Sequence, residues 1–160
     1  GTELTTITHF GSLRAQSGNL KIDRDGEVVG NITIDMQSII VEDLQGKSKE
    51  VLENHLKSDD FFGTNNFPTA TLEFRSLNRY DNDGGQIFNG NLTIKGITNE
   101  VEFSAKLIKQ TPSLHAVGKL VFDRSKYNVR FRSGSFFDNL GDKLILDDIE
   151  VDISLIAKPA

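Results

Sequence analysis

A period-two alternation of apolar and polar residues recurs along most of the chain, and it constrains the fold more than any other feature. Successive side chains of a β-strand point to opposite sides, so this alternation describes strands with one buried and one wetted face. "VVGNITIDM" puts Gly30, Ile32, Ile34 and Met36 on one side, against Asn31, Thr33 and Asp35. "TATLEFRSL" sets Ala70, Leu72 and Phe74 against Thr71, Glu73 and Arg75. "QIFNGNLTI" aligns Phe88, Gly90, Leu92 and Ile94, and "VEFSAKL" aligns Val101, Phe103, Ala105 and Leu107. "LHAVGKLVF" and "DIEVDISLIA" repeat the pattern through Phe122 and Leu155. At the N-terminus, "ELTTITHFGSL" and "SGNLKID" read as two further strands joined by a short turn. About eight closely spaced strands, each with one apolar face, predict an antiparallel sheet arranged as a barrel or a sandwich. Gly30, Gly90 and Gly118 fall on the apolar faces. There glycine marks tight coiling, a close approach by a ligand or backbone, or simple small-residue packing, and these readings stay open.

One segment breaks the alternation. "GKSKEVLENHLKS" places Val51, Leu52, His55 and Leu56 on one helical face, with Glu53 and Lys57 as an i,i+4 pair. "SDDFF" predicts a second, short helical turn with Ser58 as its cap, and "GSFFDNLG" a third. "DNDGG" is a turn, with Asp83-Gly84 suited to positive φ, and Pro68 closes a connection before a strand. No repeat, low-complexity stretch or linker divides the chain, so residues 1–160 read as a single domain.

Composition narrows the function. With 37% hydrophobic and 26% charged residues, the chain reads as soluble and globular. A formal net charge of −5 argues against a nucleic-acid partner, which would require a basic surface. The absence of cysteine excludes thiolate catalysis, disulfides and thiolate metal sites. No run approaches the ~20 apolar residues of a membrane-spanning helix. Gly1 leads straight into "TELTTITHF" with no signal peptide, which suggests a mature or trimmed form.

Several residue types could carry chemistry. His55 and Asp59 stand four apart and would share a helical face, as an acid/base or metal pair requires; capping and packing explain them equally well. His9 and His115 lie in predicted strands, and the three histidines are too dispersed for a metal motif. "DRSKYNVRFRSG" concentrates Arg124, Lys126, Arg130 and Arg132 with Tyr127 and Phe131 between them, an interleaving that can bind single-stranded nucleic acid; in an acidic chain a salt-bridged or solvated rim explains it better, with Asp142, Asp147, Asp148 and Glu150 as partners. Asn31 and Asn91 match glycosylation acceptors but sit mid-strand. Eleven phenylalanines against two tyrosines and no tryptophan suit an apolar interior.

Three stretches, "ENHLKSDDFFGTNNFPTATLEF", "GNLTIKGITNEVEFSAKL" and "FDRSKYNV", together resemble the YceI-like family of lipid- or polyisoprenoid-binding barrels. The likeness covers roughly Val28 to Leu155, and "ITHFG" is similar to the family's first strand. Phe67 stands where the family pattern has tyrosine, and the chain is expected to begin inside or just after the first strand. The resemblance implies an all-β fold: an eight-stranded antiparallel lipocalin-like β-barrel with one short helix and one or two helical turns. It further implies binding, storage or transport of a long apolar lipid, isoprenoid or fatty-acid-like, with no cofactor beyond that lipid. The protein would not be membrane-spanning, and some relatives form a homodimer. Export to the bacterial periplasm or beyond follows from the same likeness, with the cytoplasm left open. Hydrophobicity selects Ile32, Ile34, Met36, Leu72, Phe74, Phe88, Leu92, Phe103 and Phe122 as the ligand-lining residues. His9, His115 or Arg124 would anchor a polar head. Two other classes stay open: an enzyme for a small apolar substrate using His55 and Asp59, and a ligand-free barrel serving as a stress-response or interaction module.

Overall fold

The computed structural model describes residues 9–131, 133 and 147–159. In chain order these form β1 (Gly11–Ile22), β2 (Val28–Val41), α1 (Gly46–Lys57), β3 (Thr69–Tyr80), β4 (Gln86–Ile94) and β5 (Ile97–Gln110). They continue with β6 (Ser113–Asp123), a 3-10 turn (Arg124–Tyr127) and β7 (Asp148–Ala157). The seven strands make one antiparallel sheet in which each pairs with its sequence neighbour, in the order β1 to β7.

The alternation explains why this sheet curls. Every strand turns its apolar side to the same face, and those sides meet in one cluster. The cluster includes Met36 of β2, Leu72 of β3, Phe88 of β4, Phe103 of β5 and Phe122 of β6. Leu20 of β1 and Ile149, Val151 and Ile153 of β7 pack against it from the two ends of the sheet. A flat sheet could not bring its first and last strands onto one cluster; a twisted and coiled one does. The result is a nearly closed barrel. Among the described residues no ladder joins β7 to β1.

Two sequence expectations change. Residues 1–8 lie outside the described residues, and over the rest of the N-terminal stretch the expected turn is absent: β1 runs continuously from Gly11 to Ile22. It absorbs the break in alternation as register shifts between Ser12 and Arg14 and between Ala15 and Ser17. A bulge disrupts periodicity as a turn does while keeping the strand in its ladder. The described sheet therefore has seven strands rather than eight.

"SDDFF" forms hydrogen-bonded turns, and Ser58 closes the C-terminal end of α1 rather than capping the start of a further helical turn. The Ser58 hydroxyl donates back to the His55 carbonyl (2.6 Å), and the amides of Phe62 and Thr64 donate to Leu56 O (3.1 Å) and Lys57 O (3.0 Å). The segment is thus occupied in satisfying the last carbonyls of α1, which a helix otherwise leaves unpaired. "GSFFDNLG", residues 134–141, lies outside the described residues.

The hairpin turns follow from local chemistry. Asp81 Oδ1 accepts from the amides of Asp83 (2.9 Å) and Gly85 (2.7 Å), and Asp23 Oδ1 accepts from Asp25 (2.9 Å) and Glu27 (2.9 Å). These are Asx turns, in which a side-chain oxygen replaces a backbone acceptor. The interior glycines have a packing explanation. In the ladder Gly30 pairs with Phe74, which pairs in turn with Gly90. A Cβ on Gly30 would stand 2.6 Å from Phe74 Cζ and 2.6 Å from the Asn19 carbonyl oxygen.

Candidate functional site

The concave face is built from phenylalanines and aliphatic side chains. Phe88 and Phe103 stack at 5.3 Å and 10°, and Phe74 meets both edge-on at 5.7 and 6.0 Å. Of the nine apolar residues selected from sequence, Met36, Leu72, Phe88, Leu92, Phe103 and Phe122 are buried in the cluster. Ile34 and Phe74 are half-buried against it. Ile32, paired with Leu72, shares their face and is also half-buried. Val101, Leu107, Ile149, Val151 and Ile153 extend this face across β5 and β7, and they too are half-buried.

The polar candidates lie elsewhere. His115 is on the outer face of β6, 3.2 Å from Ser154 Oγ of β7, because its neighbours Leu114 and Ala116 share the inward phase of Phe122. His9 Nδ1 sits 2.7 Å from Asp43 Oδ2 on the approach to α1. That contact above all holds the Asp43 carboxyl below its ordinary pKa.

Of the two rim readings, Arg124 fits the salt-bridged one, facing the expected partner Asp147, and not the solvated one. It is 1% exposed, and its guanidinium donates to the carbonyls of Val129 (2.8 Å) and Phe131 (2.9 Å). It also lies 3.9 Å from Asp147 Oδ1 and 5.7 Å above the Phe61 ring. Burial lowers its pKa, while Asp147 and Asp123 oppose that shift. The preceding Asp123 caps the 3-10 turn, accepting from the Ser125 amide (2.9 Å) and hydroxyl (2.6 Å). The expected partner Glu150 pairs instead with Lys119 at 3.6 Å. Asp142 and Arg132 lie outside the described residues.

His55 and Asp59 do not pair. Asp59 follows Ser58, the residue that closes α1, so helical i,i+4 spacing no longer applies to it. His55 Nε2 is 3.7 Å from Asp60 Oδ2, and its ring packs edge-on against Phe61 (4.8 Å) and Phe131 (4.5 Å). Among the described residues no group of three His, Cys, Asp or Glu is placed to hold a metal ion. No described helix is long and apolar enough to cross a membrane.

The burial of two residues escaped the sequence reading. Lys95, in the two-residue turn between β4 and β5, donates to the carbonyls of Asp59 (3.2 Å) and Asn128 (3.0 Å). Burial lowers its pKa against the opposing charges of Asp59 and Asp60. The signal for it was the lysine in "IKGI", where a two-residue hairpin usually carries Asn or Gly. The other is Tyr127, fully buried and edge-on to Phe122 at 5.8 Å.

An antiparallel meander curled around an apolar concavity, with a short helix beside it, defines a small up-and-down β-barrel. Its interior is filled either by its own side chains or by one small ligand. Residues 1–157 match the YceI-like domain, and the chain belongs to that family. The UPF0312 protein SAB2563 of Staphylococcus aureus (strain bovine RF122 / ET3-1) is 32% identical over 114 residues, 67% of this chain and 63% of the relative. The UPF0312 protein MW2606 of strain MW2 is 31% identical over the same share of both chains. The match thus spans less than two thirds of these relatives' own length. Among solved structures, the Campylobacter jejuni YceI protein superposes with a TM-score of 0.70 at 19% identity, covering 99% of this chain and 90% of that one. Burkholderia cenocepacia BcnA gives 0.66 at 23% identity, covering 89% and 83%. At these identities the likeness is one of fold.

Proposed function

We propose that the barrel binds a long apolar lipid, isoprenoid or fatty-acid-like, along its concave face and so stores or carries it. The observation that carries this reading is the half-buried state of the inward apolar side chains Ile32, Ile34, Phe74, Leu107, Val151 and Ile153. In a barrel packed solid by its own residues such side chains would be shielded from water. Here they keep apolar surface that a hydrocarbon chain would cover. Each buried methylene is worth about 0.8 kcal/mol, so ten of them supply roughly 8 kcal/mol before the cost of association. Binding of this kind needs few polar contacts, and membership of a family of binding-type barrels fits it.

Organic-solvent extraction of the purified protein, followed by mass spectrometry, tests the proposal. The expected result is a stoichiometric lipid, or saturable uptake of a prenyl or fatty-acyl compound by extracted protein. Neither lipid nor uptake would end the reading. One observation favours a second reading: the Phe74, Phe88 and Phe103 rings occupy part of the interior themselves. A barrel filled in this way would be a ligand-free interaction module, and the same experiment separates the two.

A further inference from the structure

The outward rows of the sheet differ in character. Across β2 to β5, Asn31, Glu73, Asn91 and Glu100 stand in register, all polar. Across β5 to β7, Ile108, His115 and Ile156 stand in register instead. Ile108 is 45% exposed and Ile156 63%, and Val117, two residues along β6 on the same side, is 42% exposed. Side chains directly opposite on antiparallel strands lie within about 5.5 Å of each other, so these residues form a continuous strip. A single exposed isoleucine is ordinary, whereas a contiguous apolar strip marks a contact surface.

The charge around the strip says what covers it. Neither Asp nor Glu occurs from Lys106 to Phe122 or from Ile153 to Ala160, although the chain carries a net charge of −5. Those two spans hold Lys106, Lys109, Lys119 and Lys158. Lys119 pairs with Glu150 at 3.6 Å, and Lys106 is close enough to Asp81 to help lower its pKa. Lys109 and Lys158 are exposed, and among the described residues neither forms an ion pair. The other two hairpins at this end of the meander are acidic, with Asp23, Asp25 and Glu27 in one and Asp81 and Asp83 in the other. A second copy seated on the strip about a two-fold axis would set Lys109 and Lys158 against their own kind. An anionic bilayer would instead take isoleucines at its head-group boundary and lysines among its phosphates.

We propose that the outer corner of β5, β6 and β7 is a docking surface for an anionic lipid membrane. Ile108, Val117 and Ile156 insert, and Lys109 and Lys158 hold the head groups. The acidic hairpins are repelled, so the barrel lies tilted on this corner. Leu107, Ala116 and Leu155, the inward row beside the strip, are then brought close to the bilayer. Docking does not depend on what the interior holds.

The test is flotation of the full chain with two kinds of vesicle, phosphatidylcholine alone and phosphatidylcholine mixed with phosphatidylglycerol. Wild type is expected to bind the mixed vesicles more tightly, and added salt should weaken that binding. Each lysine near an anionic surface is worth roughly fivefold, so Lys109→Gln with Lys158→Gln should lose about twenty- to thirtyfold. Ile108→Thr with Ile156→Thr should lose about tenfold on the same vesicles. Ile40→Thr, an exposed position at the capped end of β2, should change nothing. The chain has no cysteine, so Val117→Cys and Ile40→Cys each accept one environment-sensitive dye. Vesicles should shift the emission of the first to the blue and leave the second unmoved. Equal binding to both vesicles, no binding to either, or full binding by either double variant overturns the proposal. So does an equal loss in Ile40→Thr. A vesicle-free dimer that the isoleucine pair dissolves also overturns it, since the strip would then be a contact between copies.

Discussion

Replacing Arg124 should be the most damaging single change at the closed end of the barrel. The side chain is 1% exposed and makes charge-assisted hydrogen bonds of 2.8 and 2.9 Å to two carbonyls. Hydrogen bonds to charged groups are worth about 1.5–3 kcal/mol each, so deleting both amounts to roughly 3–6 kcal/mol. Breaking one side of a buried ionic arrangement, at about 3–5 kcal/mol, gives the same scale. Arg124→Met keeps the apolar stem over Phe61 but leaves both carbonyls and the Asp147 carboxylate facing an uncharged group. Its expected loss is about 3–5 kcal/mol, against a total stability on the order of 5–15 kcal/mol. Arg124→Lys keeps the charge but not the planar fork that reaches two acceptors, and should lose roughly half as much. Urea unfolding followed by far-UV circular dichroism reads this directly. With a slope of about 2 kcal/mol per molar, the Met variant's midpoint falls by roughly 2 M. A Met variant within about 1 kcal/mol of wild type would show that the two carbonyls find other partners, and the account of Arg124 as the organising residue would fail.

Two further substitutions test the reading of the sheet and its turns. Gly30→Val forces a side chain to within 2.6 Å of the Asn19 carbonyl and of the Phe74 ring; it should cost about 1–3 kcal/mol in the same urea assay, and wild-type stability would refute the close-approach explanation. Asp81 is held below its ordinary pKa, first by the Gly85 amide and then by the Ser104 side chain. Its charged form therefore stabilises the fold fully above the unfolded-state pKa of about 3.9, and that contribution disappears as pH falls through the lower folded value. The stability gap between wild type and Asp81→Asn should accordingly be open at pH 7 and shrink below about pH 4; a gap that does not change with pH would sink the argument.

Strand identity was legible because alternation is a direct image of burial on one face. β3 through β7 carry their apolar residues in the phase the sequence displays, and the concave face was selected from that phase. β2 was legible only in part. Its pairing with β3 ends at Asp35 and Thr69, beyond which it continues with β1 alone. Past that point Met36, Ser38 and Ile39 are all buried, which no strict period of two predicts. Ser38 makes this break possible, accepting from the Arg14 amide (2.8 Å) and donating to Asp35 O (2.6 Å). Arg124 and Lys95 were illegible for another reason. Charged residues are exposed by default, and only a particular loop path offers buried carbonyls to a cation. The partners of Arg124 lie five and seven residues ahead of it, but they reach it only because Asn128 adopts a left-handed backbone, φ 61°, between them.

The three stretches that carry the family likeness are distant in sequence and meet at one place. Phe61, from the first, lies under Arg124 and against His55. Lys95, from the second, bonds to Asp59 of the first and Asn128 of the third. Arg124, in the third, gathers the chain through Phe131, whose ring returns to His55 and Phe61. Their chemistry of buried cations on carbonyls and rings packed edge-on builds a cap over one end of the barrel. A short motif shared across a family invites reading as an active site, yet here Arg124, Lys95 and Ser58 spend their polar atoms on backbone carbonyls that close the fold. A cap held this firmly is a poor door. The half-buried inward residues of β5 and β7, Leu107 and Ile153 among them, lie toward the opposite rim. An apolar chain bound along the concave face, as proposed above, would therefore enter at that rim rather than through the cap.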